Sequence, residues 1–215
     1  AGLYGELTVL ARGTAFATAD VKKPDASLSL ASIAVNVLTA VVKGSFAATV
    51  DGGEMYLESL TVKAAPASEA RAYTASSKYG VSAAYVSVST NVATAVVEMQ
   101  SVAAVTGGVY HIRSDREEDV VTVSAETDAN ALAAVRSGAL DAAVEKVAVN
   151  AVTAILRGTN EAYVKDASIT FEAKGRISVI SRYNLSADGK TVTGKANAII
   201  SNAAVDAAKY SASAN

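Results

Sequence analysis

The stretch Asn36-Val-Leu-Thr-Ala-Val-Val42 recurs twice in this chain, as Asn91-Val-Ala-Thr-Ala-Val-Val97 and as Asn150-Ala-Val-Thr-Ala-Ile-Leu156. In each copy a Val lies 14 residues after the Asn, at positions 50, 105 and 164. A constant offset inside a repeat, with variable lengths outside it, is typical of structured segments joined by tolerant loops. The recurrence therefore predicts a repeat architecture and not a chance enrichment in Ala and Val.

A second recurring segment precedes the first in every copy and begins at Glu6, Ser59, Val120 and Arg176. Its central Val lies at positions 9, 62, 123 and 179, so successive copies are 53, 61 and 56 residues apart. We therefore expect a single repeat array over 1–215, with copies at approximately 6–58, 59–119, 120–174 and a partial copy at 175–215. The fourth copy has only a weak version of the Asn segment, placed at Asn202, and we expect the array to be part of a longer one.

Alternation of apolar and polar residues predicts strands in the first two copies. The segment after Val9 continues with small residues of one parity, at Ala11, Gly13, Ala15 and Ala17, and a period of two is the signature of a strand. Stacked copies of a strand-rich unit predict a mainly β protein, a parallel β-solenoid of about 55-residue repeats. Equivalent residues would then form ladders, one of Asn36, Asn91 and Asn150 and one of Thr39, Thr94 and Thr153.

The third copy also fits a helical pattern. Residues 128–157 contain an apolar stripe at helical spacing and are rich in Ala, the strongest helix former; the stripe consists of Leu140, Val144, Val147, Ala148, Ala151 and Ile155. Equivalent segments of a stacked array should share one conformation, and the other copies favour β. We therefore predict strands, with a local helix at 128–157 as the alternative.

Composition excludes several classes of function. The chain has 215 residues, a net charge of −2 and no Cys, so disulfides, thiolate metal sites and a Cys nucleophile are ruled out. The near-neutral charge and the absence of a dense basic patch argue against a nucleic-acid partner. No apolar run approaches the roughly 18 residues of a membrane span, and the first residues do not have the pattern of a signal peptide.

Few residues could carry chemistry. His111 is the single His, and without a second His or a Cys we expect an exposed strand residue and not a member of a triad or metal site. The acidic run Asp115, Glu117, Glu118 and Asp119 could hold Ca²⁺ through carboxylate oxygens, but Arg113 and Arg116 interleave with it and favour local charge pairing. We therefore predict neither an enzyme nor a cofactor. Paired acids at Asp51 and Glu54, acting on polysaccharide, are the residual catalytic hypothesis.

The ordered recurrence of these motifs resembles the repeat regions of very large bacterial surface proteins, the leukotoxin-type and filamentous-haemagglutinin-like adhesins. The matching elements are Ser32–Val37 with Thr39 and Ala40, then Glu161–Ile169, then Gly175–Val179. The resemblance spans nearly the whole chain and implies a secreted, elongated β-solenoid on a bacterial surface. This chain is shorter than that family's proteins and lacks the Gly-rich stretches that are common before the Asn segment.

Three hypotheses of function follow. The first is a structural or adhesive segment of an extracellular fibre, whose partners are neighbouring repeats, other copies of itself or a host-surface or matrix ligand. The second is a self-assembling filament subunit, in which a final strand at Thr191–Val205 completes a neighbour's sheet. The third is a carbohydrate-active β-helix enzyme. The repeat and the lack of convergent reactive groups favour the first.

Overall fold

The computed structural model describes residues 4–22, 26–75, 81–137, 140–202 and 208–214. These residues form strands joined by short connections. In chain order the strands are β1 (Gly5–Lys22), β2 (Ala26–Asp51), β3 (Glu54–Ala75), β4 (Val81–Thr106), β5 (Val109–Ile112), β6 (Asp119–Ser137), β7 (Leu140–Lys165), β8 (Ser168–Phe171), β9 (Arg176–Tyr183), β10 (Ala196–Asn202) and β11 (Ala208–Ala214).

The strands form two sheets in which all the strand pairs are parallel. In sheet A, β1 pairs with β3, β3 pairs with β5 and β6, β5 pairs with β8, and β6 pairs with β9 and β10. In sheet B the order is β2-β4-β7-β11. The chain alternates between the sheets, so each repeat contributes strands to both. The prediction of a mainly β, parallel-stranded protein is confirmed.

Equivalent residues of successive repeats pair in register. In sheet A, Val9 lies beside Val62, Val62 beside Val123, and Val123 beside Val179. In sheet B the register between β2 and β4 extends from Ala26 opposite Val81 to Asp51 opposite Thr106. The same register continues from β4 to β7. Backbone pairing in the sheets therefore follows the sequence repeat.

The hydrophobic core lies between the two sheets and is built largely from small side chains. One cluster includes Ala93 and Ala95 of sheet B with Ala70 and Ala72 of sheet A, all with no exposed surface. A second cluster, nearer the turns from sheet B to sheet A, contains the larger residues Leu60, Tyr110 and Ile112 among others. Small residues allow the sheets to approach closely, because interiors pack at nearly crystalline density.

The turns from sheet B to sheet A also repeat. Gly52, Gly107 and Asp166 occupy equivalent positions after β2, β4 and β7, with φ values of 69°, 62° and 53°. The Gly52 amide donates to the carbonyl of Thr106 at 2.7 Å, and the Gly107 amide donates to that of Lys165 at 2.9 Å. Gly adopts this left-handed conformation at no steric cost, and Asp tolerates it better than most residues. The repeated turns keep the units aligned at this corner.

The alternative of a local helix at 128–157 is wrong for the described part of that segment. Residues 128–137 belong to β6, which pairs with β3, and residues 140–157 belong to β7, which pairs with β4. The edges of β3 and β4 provide hydrogen-bond partners for the described residues of this segment, and these bonds outweigh the intrinsic preference of Ala for helix. Nowhere in the described ranges is there a helix long and apolar enough to cross a membrane.

The fourth repeat departs from the other three. Its sheet A part is split by an excursion at 184–195 between β9 and β10, opposite the uninterrupted β6. Asn202 pairs with Ser137, and the residue opposite Asn150 is Tyr210, so placing the fourth Asn segment at Asn202 was wrong. The predicted free strand at Thr191–Val205 is partly misplaced too, because Ala196–Asn202 is already paired with β6; residues 203–205 lie outside the described residues.

Candidate functional surfaces

The Asn series lies on the inward face of sheet B. Asn36 donates from Nδ2 to Oδ1 of Asn91 at 2.8 Å, and Asn91 donates in the same way to Asn150 at 2.8 Å. Asn91 and Asn150 are buried, and buried amides without partners are costly. Tyr210 occupies the next position in the stack, so the series contains three amides among the described residues. The hydrogen bonds of the series therefore link neighbouring strands inside the protein and keep them in register.

The Thr series lies on the opposite, outward face of sheet B. Thr39, Thr94 and Thr153 pair in register three residues along the strands from the Asn series. Thr39 is exposed, and Thr94 and Thr153 are half-buried. The side chains around them are almost all β-branched, as is common on pleated surfaces. The Thr residues therefore belong to an outer surface and not to the core.

This outward face carries a group of neighbouring exposed apolar side chains. On β2, Ile33 is 80% exposed and Val35 and Val37 are 66% and 69% exposed, while Val147 of β7 is 49% exposed. We call these residues, with their register partners on β4 and β7, the valine face; its members are Ile33, Val88, Val147, Val35, Thr90, Val149, Val37, Val92, Ala151, Thr39, Thr94, Thr153, Val41, Val96 and Ile155. From strand spacings its area is on the order of 400 Å², within the range of patches that often have a function.

A charged column bounds the valine face. Lys43, Glu98 and Arg157 pair in register directly after it, and Lys43 Nζ lies 2.9 Å from Glu98 Oε2. The hydrogen bond from Lys43, helped by its charge, lowers the pKa of Glu98. The pair is exposed to solvent, so it defines the border of the face and contributes little to stability.

Aromatic rings surround His111 on the outward face of sheet A. The ring of Tyr56 stacks on the imidazole of His111, with centroids 4.6 Å apart and planes 7° from parallel. Tyr4 packs edge-on against Tyr56 at 5.9 Å. These rings lie side by side along the stacking direction, so the stacked faces of Tyr56 and His111 cover each other. The arrangement stabilises contacts between repeats.

Two carboxylates flank this ring column. His111 Nε2 lies 3.7 Å from Glu54 and Nδ1 lies 3.7 Å from Glu172, both longer than a hydrogen bond. The tyrosines hold these acids instead: Tyr56 donates to Glu54 at 2.9 Å and Tyr4 donates to Glu172 at 2.6 Å. Hydrogen bonding to a carboxylate raises the pKa of each of these phenols. Neither Glu54 nor Glu172 is close enough to orient the imidazole as a catalytic base would require.

The other predicted acids do not come together. Glu117 pairs with Lys174 at 2.6 Å and Asp119 with Arg176 at 3.4 Å, so each acid contacts a cation at or just before the start of β9. Asp115 lines a shallow depression with Arg113 and Arg116, and Glu118 is exposed. Asp51 accepts a hydrogen bond from Thr106 at 2.7 Å, whereas Glu54 belongs to the ring column. Within the described ranges no three His, Asp or Glu side chains are grouped to hold a metal ion.

Sequence reasoning missed one polar network on the outward side of sheet A. Glu126 lies between two cations, 3.2 Å from Lys63 and 3.0 Å from Arg182. Burial raises the pKa of Glu126, but hydrogen bonds from Arg182 and Lys63 outweigh it and leave that pKa lowered. Lys63, Glu126 and Asp128 line one side of an open groove of about 400 Å³. The sequence does contain a sign of this network, because Glu126 and Arg182 each lie three residues after a repeated Val and therefore occupy equivalent positions in their copies.

The sequence matches no family model, and no curated protein or solved structure is detectably similar to the chain. The resemblance to leukotoxin-type and haemagglutinin-like repeats therefore stays a prediction. What the chain does must be inferred from its surfaces and from the register of its repeats.

Proposed function

We propose that this chain is a structural segment of an extracellular fibre on a bacterial surface, folded as a parallel β-solenoid with one repeat per wide coil. The register of equivalent residues across three consecutive repeats carries the proposal. A fibre needs a unit that can be added without altering its neighbours, and register-preserving stacking provides this.

The buried Asn series supports a structural role. It links the inward faces of β2, β4 and β7 at one position in each repeat. A shift of one residue in any of these strands would move the amides to the outer surface and bring Val side chains inward. The series therefore favours a single register, as an extended fibre under tension requires.

The valine face supports an adhesive role for the same segment. It is uncharged over five columns of sheet B and is bounded by the Lys43–Glu98 pair. An apolar patch with a charged border is typical of a surface that contacts other molecules. The resemblance implies a host-surface or matrix ligand, and we propose such a ligand as the partner of the valine face.

Small-angle scattering on the full chain tests the solenoid. Strands of 26 residues at about 3.3 Å per residue span roughly 85 Å, while four coils stack to only about 19 Å. Such a slab has a radius of gyration near 25 Å, whereas a globular protein of this length has about 17 Å. A measured value near 17 Å would exclude the solenoid and, with it, the fibre.

A self-assembling filament subunit is the second candidate. Among the described residues β1 and β2 each pair along one edge only, which leaves 18 and 26 residues of strand edge open. Long open edges are templates for pairing with another chain. Sedimentation over a hundredfold range of concentration distinguishes the candidates, because a subunit forms fibres as concentration rises and a stalk segment stays monomeric.

A further inference from the structure

A gap in the outward side chains of sheet A lies over the middle of β3. Ala65 and Ala67 are half-buried and flank the buried Pro66, so they belong to the outward face. Longer side chains follow at both ends of the gap, those of Lys63 and Glu69. The gap is the floor of the groove of about 400 Å³ already described, which we call the β3 groove. Its volume is typical of sites for small molecules, which measure about 300–1,000 Å³.

One wall of the β3 groove donates hydrogen bonds and the other accepts them. Arg12 and Thr14 of β1 line the first wall, and Glu126 and Asp128 of β6 line the second. Thr14, Ala67 and Asp128 form one register column, so the two walls stand two strands apart. Two strand spacings are about 9.6 Å, and contact distances of about 3.5 Å reduce the free width to about 6 Å. A single six-membered ring fits this width.

The two acids of the second wall differ in how their charge is balanced. Glu126 lies 3.2 Å from Lys63 and 3.0 Å from Arg182, so two cations neutralise it. Asp128 accepts a hydrogen bond at 2.6 Å from the hydroxyl of Thr193, which carries no charge. The charge that this wall offers to a ligand is therefore that of Asp128.

Pro66 leaves a further acceptor beside the second wall. The ladder between β1 and β3 is continuous here, with Arg12 opposite Ala65 and Gly13 opposite Pro66. The ladder between β3 and β6 has no pairs at Ala65 and Pro66. Proline has no amide hydrogen, so a carbonyl oxygen of β6 receives no bond from β3 at this point. A hydroxyl group of a ligand can supply the missing donor.

We propose that the β3 groove binds an acidic pyranose sugar, a uronic acid unit of a glycan. The carboxylate of the sugar accepts two hydrogen bonds from the guanidinium of Arg12. Hydroxyl groups on the other side of the ring donate to Asp128 and to the β6 carbonyl. The C–H groups of the ring pack on Ala65 and Ala67. This site lies on sheet A, apart from the valine face, so it goes beyond the proposed fibre.

An extended peptide fits the β3 groove less well than a sugar. Peptides that join a sheet bond to a free strand edge, and β3 already has β1 along one edge and β6 along the other. A wholly cationic ligand is disfavoured as well, because Arg12 and Lys63 line the groove and Arg182 adjoins it. A ring with one anionic group and several hydroxyls satisfies both walls.

The β3 groove is suited to binding a glycan and not to cleaving it. Cleavage of a glycosidic bond needs a protonated carboxylic acid that donates to the leaving oxygen. Burial raises the pKa of Glu126, but hydrogen bonds from Arg182 and Lys63 have the larger effect and keep this acid ionised. Glu126 therefore accepts hydrogen bonds and does not serve as the general acid.

Isothermal titration calorimetry on the full chain tests the proposal with trisaccharides of galacturonic, glucuronic and mannuronic acid. Each is compared with the trisaccharide of the corresponding neutral hexose, which has a hydroxymethyl group in place of the carboxylate. We expect saturable binding of at least one acidic trisaccharide at millimolar concentration or below. Its neutral counterpart should bind at least tenfold more weakly. If none of the acidic trisaccharides binds, the proposal is wrong.

Three variants locate the binding in the β3 groove. Arg12→Gln and Asp128→Asn should each weaken binding at least tenfold, because each removes one charged contact. Ala65→Phe should abolish binding, because the ring fills the groove and leaves its charges in place. All three side chains lie on the outward face, so the variants should fold, which circular dichroism checks. Arg176→Gln is the matched control, since Arg176 is a cation of the same sheet outside the groove, with its side chain 68% exposed.

The control should leave binding unchanged. Equal weakening by Arg176→Gln would indicate a general attraction of anions to the surface and would overturn the proposal. Equally tight binding of the peptide Glu-Ala-Glu-Ala-Glu would exclude a sugar site, and release of new reducing ends from the trisaccharides would exclude binding without cleavage. None of these outcomes depends on the radius of gyration, so this site and the fibre can fail separately.

Discussion

At the scale of single residues, the middle amide of the Asn series, Asn91, should contribute more to stability than Asn36 at the end of the series. Asn91 accepts from Asn36 and donates to Asn150, so it takes part in both hydrogen bonds of the series. Removing it leaves a buried acceptor on Asn150 and a donor on Asn36 without partners. Asn36 lies at the end of the series and takes part in one of these bonds.

We predict that Asn91→Ala lowers the free energy of unfolding by about 2–4 kcal/mol, because unpaired buried polar groups cost about 1–3 kcal/mol each. Asn36→Ala should cost about half as much. Urea denaturation followed by circular dichroism measures both. The double variant Asn91→Ala, Asn150→Ala should be less destabilised than the sum of the single variants. An equal loss of unfolding free energy in Asn91→Ala and Asn36→Ala would show that the two hydrogen bonds of the series do not act together.

At the scale of a strand, successive residues of β4 point alternately into the core between the sheets and out to the surface. Ala95 is completely buried between the sheets, whereas its neighbour Thr94 belongs to the outward valine face. The pairing of β4 with β2 and β7 fixes which parity points inward. The inward positions are small because the sheets are close together.

We predict that Ala95→Leu destabilises the protein by about 1–3 kcal/mol, since additional methylene groups in a packed core force the sheets apart. Thr94→Leu, one residue away, should change stability by about 0.5 kcal/mol or less, as expected at a surface position. Thermal unfolding of the two variants side by side makes the comparison. If Thr94→Leu were the more damaging change, the inward and outward faces of β4 would be wrongly assigned.

At the scale of the whole molecule, stability should depend on a strand's place in the stack. β3 and β4 are paired along both edges, while β1 and β2 are paired along one. In stacked repeats the end units open first because each unit is held only by its neighbours.

We predict that native-state hydrogen exchange is slowest in the amides of β3 and β4 and faster in those of β1 and β2. Amides that point toward the open edge of β2 should exchange fastest, since they have no strand partner. Mass spectrometry of peptides from each strand gives this ranking. Uniform protection over all four strands would indicate a molecule that opens as one cooperative unit.

The sequence by itself determined the repeat, the strands and their alignment. Asn36, Asn91 and Asn150, each followed 14 residues later by a repeated Val, predicted the register, because identical side chains at a constant offset need the same neighbours. The sequence also left helix and strand open for 128–157, because the preference of Ala for helix is local information. That choice was made by the edges of β3 and β4, whose hydrogen-bonding groups are contributed by residues about 60 positions away.

Only the tertiary structure decided which repeated residues face inward and where the pattern breaks. Asn36 and Thr39 are equally regular in the sequence, yet one series is internal and the other lies on the valine face, since strand parity relative to the opposite sheet is not encoded by spacing alone. The contacts of Glu126 with Lys63 and Arg182 depend on which side chains β3 and β9 place beside it in sheet A. Such contacts arise from strand pairing within a sheet and from packing between the two sheets, and therefore appear only when the chain is folded.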